Sequence, residues 1–337
     1  MNRQMYWQNL THLVTIPTYR HPIRYQDSIM IFGSCFAQRI QKHLHNLLYH
    51  YTTSPFGISY NPSSIAQGLI SLIQDQHFDE SLLFNYRERW HSPWHHSSYS
   101  HPQRETCLQQ IQQAWYHTQQ KLKTCRYLMI TLGTAWVYHD AQYGIVNNCH
   151  QRPARDFTRF RLDVSTMTQL LSEAQKAIWK VNPHVQFIYT VSPIRHLKDG
   201  AIENQRSKAS LLLTIDALQN QTPQQCFYFP SYEIMMDELR DYRFYKDDLI
   251  HPSDCATQLI CDLFTQYCLC HQQESIRHHI MQLQKNIAHK PRHPNSIAHQ
   301  KHKQKIQASI QQLKTHHPYL NYNALECSDI NSILGGE

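Results

Sequence analysis

The sequence predicts an α/β protein of three layers, in which helices cover both faces of a central parallel sheet. Short apolar runs alternate along the chain with longer segments whose apolar residues recur at helical spacing. A strand buried on both faces reads as a continuous apolar run, and strands that alternate with helices are typical of parallel sheets. Small or polar residues also follow three of the runs, at the point where ligands bind in such sheets.

The four apolar runs predicted to be buried strands are residues 28–32, 126–132, 185–191 and 226–229. The helices predicted between them cover residues 36–48, 63–73, 106–121, 164–181 and 203–218, where the apolar residues follow a helical period. Another helix is predicted to begin at Pro252 and Ser253, because proline is accepted in the first turn of a helix. Apolar residues at helical spacing predict two more helices, from Ile276 to Ile287 and over residues 296–314.

The composition is that of a folded protein without a secretion signal or a membrane span. The 337 residues are 41 % hydrophobic, which is enough for a substantial core. Residues 1–7 are not followed by the apolar stretch of a signal peptide, and no apolar run approaches the roughly 18 residues of a spanning helix. The ten cysteines lack the paired spacing of a zinc site, which favours reduced thiols. We therefore expect a cytoplasmic protein with no metal and no cofactor.

The positive charge is concentrated near the end of the chain. Residues 275–325 carry eight lysines and arginines and no acidic residue, whereas the whole chain has a net charge of +7. We predict one domain at residues 1–272 and a basic helical extension at residues 273–337. Such a segment could contact an anionic surface, but we prefer to interpret it as a solvated, basic helical region. No aromatic residues are interleaved with the charges before Tyr319, so nucleic acid is an unlikely partner. The oligomeric state is not determined by these features.

The strongest functional signal is the segment Gly33-Ser34-Cys35, where a predicted strand runs directly into a helix. The backbone amides and the dipole at a helix N-terminus favour negative charge, so they would lower the pKa of a thiol and stabilise an oxyanion. Either side chain, Ser34 or Cys35, is placed to act as a nucleophile. A serine helix cap followed by a buried cysteine is the structural alternative.

Residues 33–37 read GSCFA, the motif that names the GSCFA family, and the position of this motif resembles the first block of SGNH/GDSL esterases. This resemblance implies a flavodoxin-like SGNH hydrolase fold. Aligning the glycines places Cys35 at the catalytic serine of that block and Ser34 at the residue before it. The resemblance therefore implies a thiol in place of a hydroxyl, with Cys35 favoured as the nucleophile and Ser34 as the alternative.

The segment Asp248-Leu249-Ile250-His251 resembles the last SGNH block, Asp-x-x-His. In that block a carboxylate orients an imidazole, which takes the proton of the nucleophile. The three-residue spacing allows both side chains to reach one face of a loop before a helix. Asp248 is therefore predicted to be the orienting acid and His251 the base.

The groups that would donate hydrogen bonds to an oxyanion match the SGNH blocks less well than the nucleophile and the base do. Gly57 resembles the glycine of the second block, and its amide is predicted to bind the oxyanion. The third block should read Gly-x-Asn, but the asparagine is missing after Gly133-Thr134. The Thr134 hydroxyl, a backbone amide, or Asn61 or Asn148 would have to replace it.

Three residues are predicted to bind substrate: Asn61, Arg195 and His196. Arg195 and His196 follow the third predicted strand, where they could meet a carboxylate or phosphate, or form a structural pair with an acidic neighbour.

Two functions remain open from the sequence. The first is an SGNH-like esterase or acyltransferase that acts on small acyl esters, possibly esters of carbohydrates, through the Cys35 (or Ser34), His251 and Asp248 site. The second is a catalytically weak scaffold of the same kind that binds a glycan or an acylated ligand.

Overall fold

The computed structural model describes residues 12–74, 78–289, 293 and 296–325. Its strands are β1 (Ile29–Gly33), β2 (Tyr51–Thr53), β3 (Phe84–Tyr86), β4 (Arg89–His91), β5 (Tyr127–Leu132), β6 (Trp136–Asp140), β7 (Gly144–Val146), β8 (Phe157–Arg161), β9 (Gln186–Val191) and β10 (Cys226–Tyr228). Its main helices are α1 (Cys35–Asn46), α2 (Pro62–Ile73), α3 (Arg104–Leu122), α4 (Val164–Val181), α5 (Gly200–Gln221), α6 (Asp254–Cys268), α7 (Glu274–Ile287) and α8 (Ile297–His316).

The central sheet has five strands in the order β10-β9-β5-β1-β2, and all its neighbouring strands are parallel. Counted along the chain within this sheet, the order is 2-1-3-4-5, which is the flavodoxin-like order. The chain leaves β1 towards β2 on one side and then returns to β5 on the other. In sheets of this order, ligands bind at the carboxyl ends of the strands where the direction of winding reverses, which here are β1 and β5.

Helices cover both faces of this sheet and separate the core into two clusters. Successive residues of a strand point to opposite faces. Ile29 and Ile31 of β1 accordingly pack towards α1 and α6, whereas Met30 and Phe32 pack towards the face covered by α2, α3, α4 and α5. The prediction of a three-layer fold around a parallel sheet is confirmed.

Several helices begin at a side chain that accepts a backbone N–H. Asn61, Asp163, Ser253 and Ser296 cap α2, α4, α6 and α8 in this way. Such caps satisfy amides that have no partner inside the helix, so they fix where each helix starts.

The C-terminal helices α7 and α8 contribute to the same core as α1 and α6. Ile280, Leu283, Ile306, Ile310 and Leu313 are all buried there. The predicted helices at 276–287 and 296–314 are thus found. The break expected around residues 290–295 falls mostly outside the described residues, and the predicted division at residue 272 stays a prediction.

The sequence did not predict the smaller sheets. β3 and β4 form an antiparallel hairpin, and β7, β6 and β8 form an antiparallel sheet of three strands. These strands are short and only partly buried, so they lack the continuous apolar runs that identify the central strands. Within the described part of the chain, no helix has the length and apolar character needed to cross a membrane.

Candidate active site

The turn after β1 is pressed against β5. Gly33 has a φ of 129°, and a Cβ atom at this position would lie 2.2 Å from the carbonyl oxygen of Thr131. The next amide, that of Ser34, donates to the same oxygen at 3.0 Å. A side chain at position 33 would force the two strands apart, so glycine is required for the turn to lie at the carboxyl ends of β1 and β5.

Ser34 and Cys35 differ in the accessibility of their side chains. Ser34 is the N-cap of α1 and is fully buried, and its hydroxyl has no hydrogen-bond partner among the described residues. Cys35 is the first residue of α1 and is only half-buried. Cys35 is therefore partly accessible to solvent, whereas the Ser34 hydroxyl is enclosed.

The thiol of Cys35 is neutral at rest. Burial raises its pKa, and this effect outweighs the backbone amides of Cys35 and Phe36 and the charges of Lys208 and Arg39, which lower it. A neutral thiol is a poor nucleophile. Cys35 would therefore need a base to take its proton.

Asp248 and His251 form a hydrogen-bonded pair in the loop before α6. One carboxylate oxygen of Asp248 lies 2.6 Å from Nδ1 of His251, and the other accepts the amides of His251 and Ile250 at 2.9 Å. The His251 amide, the Ile250 amide and the His251 ring hold the pKa of Asp248 down at about 2. An ionised carboxylate only accepts hydrogen bonds, so Nδ1 of His251 carries the ring proton when the ring is neutral, and Nε2 is the acceptor.

The helix that follows this loop, α6, contacts α1. Arg39 of α1 forms an ion pair of 3.6 Å with Asp254, which follows His251 by three residues. His196, in the loop after β9, also interacts electrostatically with His251. The pKa of His196 is lowered to about 4, mainly by burial and to a smaller extent by the charges of Lys208, His251 and Arg159. The turn after β1 and the end of β9 therefore lie at the same edge of the parallel sheet, and His251 interacts with His196 at the end of β9.

The groups predicted as oxyanion donors already have other partners. The amide of Gly57 donates to the carbonyl of Ser54 at 3.2 Å. The amide of Thr134 donates to the carbonyl of Tyr60, and its hydroxyl lies 3.1 Å from that of Ser207. The oxyanion role of Gly57 and Thr134 stays a prediction, and it would require these contacts to change. The amides that interact with the thiol are instead those at the first turn of α1.

The two candidate asparagines are used in local structure. Asn61 accepts the amide of Ser64 at 2.8 Å and donates to its hydroxyl at 3.0 Å, which is the capping arrangement at the start of α2. The side-chain oxygen of Asn148 accepts the amide of His150 at 2.8 Å. The structure thus uses Asn61 as a helix cap, and its contact with substrate stays a prediction.

The other two residues predicted to bind substrate are Arg195 and His196. The structure links His196 with His251, whereas Arg195 contacts Met236. The exposed guanidinium of Arg195 contacts the sulfur of Met236 at 3.1 Å rather than an acidic neighbour. His196 donates its amide to Asn204, and its ring packs edge-on against Tyr60 with 5.5 Å between the ring centroids. The buried Nε2 of His196 has no partner among the described residues.

Comparison with known proteins agrees with the GSCFA motif in the turn after β1. Residues 28–264 match the GSCFA family, and residues 280–326 match the C-terminal domain of GSCFA domain proteins. The chain belongs to the GSCFA family. No curated protein matches its sequence.

Solved structures similar to this GSCFA protein include two esterases. One is a carbohydrate esterase family 3 protein from Talaromyces cellulolyticus, with 10 % sequence identity and a TM-score of 0.37. The other is an acetyl esterase variant with an acetate ion, with 10 % identity and a TM-score of 0.35. Each alignment covers 75 % of this chain and 99 % of the other chain.

No role was predicted for Lys208 of this GSCFA protein, although its side chain reaches the ends of β5 and β9. Lys208 is fully buried in α5, and its Nζ donates to the carbonyls of Gly133 and Ser192 at 2.7 and 2.8 Å. It shares the apolar face of α5 with Leu211 and Ile215. A lysine on the apolar face of a helix is the signal that could have identified it, because such a residue is rarely buried without a specific partner.

Proposed function

We propose that this GSCFA protein transfers acyl groups from small esters through a thioester on Cys35, as an SGNH-like esterase or acyltransferase. The observation that carries the proposal is the 2.6 Å pair of Asp248 and His251 in the loop before α6. The first residue of α6, Asp254, forms an ion pair with Arg39 of α1, the helix that begins at the half-buried Cys35. A base with a fixed tautomer beside an accessible thiol at a helix N-terminus is an arrangement suited to nucleophilic catalysis.

The reaction would proceed in two steps. Nε2 of His251 accepts the thiol proton as Sγ of Cys35 attacks the ester carbonyl, and the negative charge moves to the carbonyl oxygen. The amides of Cys35 and Phe36 are the nearest candidates to stabilise this charge. The carbon–oxygen bond then breaks, and the leaving alcohol takes the proton from His251, which leaves a thioester.

In the second step, His251 takes a proton from water or from an acceptor alcohol. The resulting oxygen nucleophile attacks the thioester, and the Cys35 thiol is released with its proton restored. Asp248 remains ionised throughout and stabilises the protonated imidazole. Water gives hydrolysis, and an alcohol gives acyl transfer. Carbohydrate-linked short esters are the first substrate class to test.

The test is mass spectrometry of the intact protein after exposure to p-nitrophenyl acetate. We expect a single acetyl adduct that maps to Cys35, is absent in Cys35→Ala, persists in Ser34→Ala and forms more slowly in His251→Ala. Cys255→Ala and His278→Ala, which change an exposed cysteine and an exposed histidine, are the matched controls. An adduct on Ser34, or one that forms equally fast without His251, would contradict the mechanism.

The engaged donors at Gly57 and Thr134 favour a second function, the binding of an acylated ligand without efficient turnover. This alternative predicts that acetylated sugars raise the unfolding temperature although no adduct forms. The same alternative predicts no difference in adduct formation between the parent and its His251→Ala variant.

A further inference from the structure

Tyr60 packs against the end of β5, where the resemblance to SGNH esterases places an asparagine that this chain lacks. The residue at that position is Ala135, whose side chain has no hydrogen-bond donor. The carbonyl of Tyr60 accepts the amides of Gly133 and Thr134 at 2.8 and 3.0 Å. A Cβ atom at Gly133 would lie 3.1 Å from Cδ1 of the Tyr60 ring. Both the backbone and the ring of Tyr60 are therefore held directly against the end of this strand.

The same segment also reaches the turn after β1. The amide of Ser59 donates to the carbonyl of Gly33 at 2.9 Å. The Cβ of Ser34 would lie 3.3 Å from a Cβ atom at Gly133, so Ser34 and the Tyr60 ring border the same space, in which Gly133 has no side chain. Glycine at position 133 therefore allows the phenol ring to lie beside the turn after β1.

The ring of Tyr60 is fixed, but its hydroxyl is not used by the fold. The ring of His196 packs edge-on against it, with 5.5 Å between the ring centroids and 83° between the planes. Tyr60 is half-buried, and its hydroxyl forms no hydrogen bond with any residue that the structure describes. The hydroxyl oxygen is also not enclosed, so a ligand can reach it.

We propose that Tyr60 is a catalytic residue of this site, whose hydroxyl donates a hydrogen bond to the carbonyl oxygen of the bound ester and to the oxyanion formed from it. The proton stays on the phenol oxygen, so the proposal adds no proton transfer to the two steps. Tyrosine hydroxyls are among the groups that stabilise oxyanions. The inference rests on the proposed function and deepens it, because it supplies a side-chain donor that Ala135 does not.

The protonation of Tyr60 agrees with a role as donor. Burial, and to a smaller extent the charge of a Cys35 thiolate, raises the pKa of Tyr60 above its ordinary value. The phenol therefore keeps its proton at neutral pH and can donate it in a hydrogen bond. The electrostatic interaction with Cys35 is also what the position of the ring beside the turn after β1 predicts.

The first test compares the acetylation of Cys35 by p-nitrophenyl acetate in the parent and in Tyr60→Phe. Phenylalanine keeps the ring and its contact with His196, and the lost hydroxyl has no partner among the described residues, so the unfolding midpoint in urea should not change. We expect the maximal rate of acetylation to fall by about 10²-fold, which is the usual effect of removing one oxyanion donor. The ester concentration that gives half of this rate should change by less than about threefold, because the hydrogen bond strengthens as charge develops on the oxygen.

The matched control is Tyr51→Phe. Tyr51 is also a half-buried tyrosine, but it pairs with Ile29 at the start of β1, which is the opposite edge of the parallel sheet. Its replacement should leave the acetylation rate unchanged. An unchanged rate in Tyr60→Phe, or an equal loss in Tyr51→Phe, would overturn the inference.

If the parent forms no acetyl adduct, a second measurement decides. Acetate presents acyl oxygens but cannot acylate the thiol, and its dissociation constant can be measured from the broadening of its methyl NMR signal by the protein. We expect acetate to bind Tyr60→Phe about fivefold more weakly than the parent, which is the net strength of one ordinary hydrogen bond. Equal affinities, or no saturable binding to the parent, would overturn the inference.

The two proposals therefore fail in different ways. Acetate binding that depends on the Tyr60 hydroxyl, without an acetyl adduct, would retain this hydroxyl as a donor to acyl oxygens and reject acyl transfer. An adduct on Cys35 that forms equally fast in Tyr60→Phe would retain acyl transfer and reject the role of Tyr60.

Discussion

Replacing Asp248 by asparagine should remove the base function of His251 while leaving the loop in place. The amides of Ile250 and His251 both donate to one oxygen of Asp248, and an asparagine oxygen can accept them equally. The second oxygen, 2.6 Å from Nδ1 of His251, becomes an N–H donor. Nδ1 must then accept, so the ring proton moves to Nε2, which can no longer take the proton of the thiol.

The expected loss of rate depends on how exposed the Asp248 and His251 side chains are. Loss of the correct tautomer costs about 10⁴ in rate in the buried triad of serine proteases. Here the side chains of Asp248 and His251 are 46 % and 48 % exposed, so water can partly replace the lost partner. We therefore expect acylation of Cys35 to slow by about 10² to 10³, within the usual range for general acid–base catalysis.

The assay is the rate of acetyl adduct formation at neutral pH under single-turnover conditions. Asp247→Asn removes the same charge from the adjacent exposed residue and serves as the control. The urea unfolding midpoint of Asp248→Asn should match that of the parent. The reasoning would be refuted by a rate within threefold of the parent, or by an equal loss in Asp247→Asn.

Three further predictions concern stability. Gly33→Ala should lower the free energy of unfolding in urea by about 3 kcal/mol, because its Cβ would collide with the carbonyl of Thr131; a loss below about 1 kcal/mol would contradict the close approach of the strands. Ser253→Ala should cost about 1 kcal/mol through loss of its helix cap. Ser34→Ala, whose hydroxyl has no partner in the part of the chain that the structure describes, should change stability by less than about 0.5 kcal/mol, and equal effects would contradict this contrast. Truncation after Gln272 should cost about 5 kcal/mol or more, because α7 and α8 bury at least five aliphatic side chains; an unchanged unfolding curve would show that these helices are a dispensable extension.

The central sheet could be predicted because its strands are buried on both faces. That burial requires continuous apolar runs, and all four predicted runs are strands of this sheet. β2 is an edge strand of three residues that are not fully buried, so it carries no comparable signal. The same reason explains why the antiparallel sheets were not predicted. Their residues meet solvent on one side, and their pairing depends on contacts between segments rather than on local pattern.

The site was predictable where chemistry and spacing are local. Asp248 and His251 are three residues apart, and the structure forms the pair that their spacing predicts. The roles of Asn61 and Gly57 stay predictions, and the structure adds that their polar groups contact the chain next to them, Ser64 in one case and Ser54 in the other. A sequence does not reveal whether an amide or a side-chain oxygen is already engaged.

The sequence by itself determined the layered α/β architecture, the turn that presents Cys35 and the loop that pairs Asp248 with His251. The architecture depends on the spacing of buried residues along the chain, the turn on the conformation of a glycine, and the loop on the short spacing of two residues. Such constraints act over a few residues. Only the tertiary structure decided that Ser34 is enclosed while Cys35 is accessible, and that Lys208 reaches the ends of two strands. Accessibility and the partners of a buried charge are set by elements distant in sequence, because they depend on which surfaces the folded chain brings into contact.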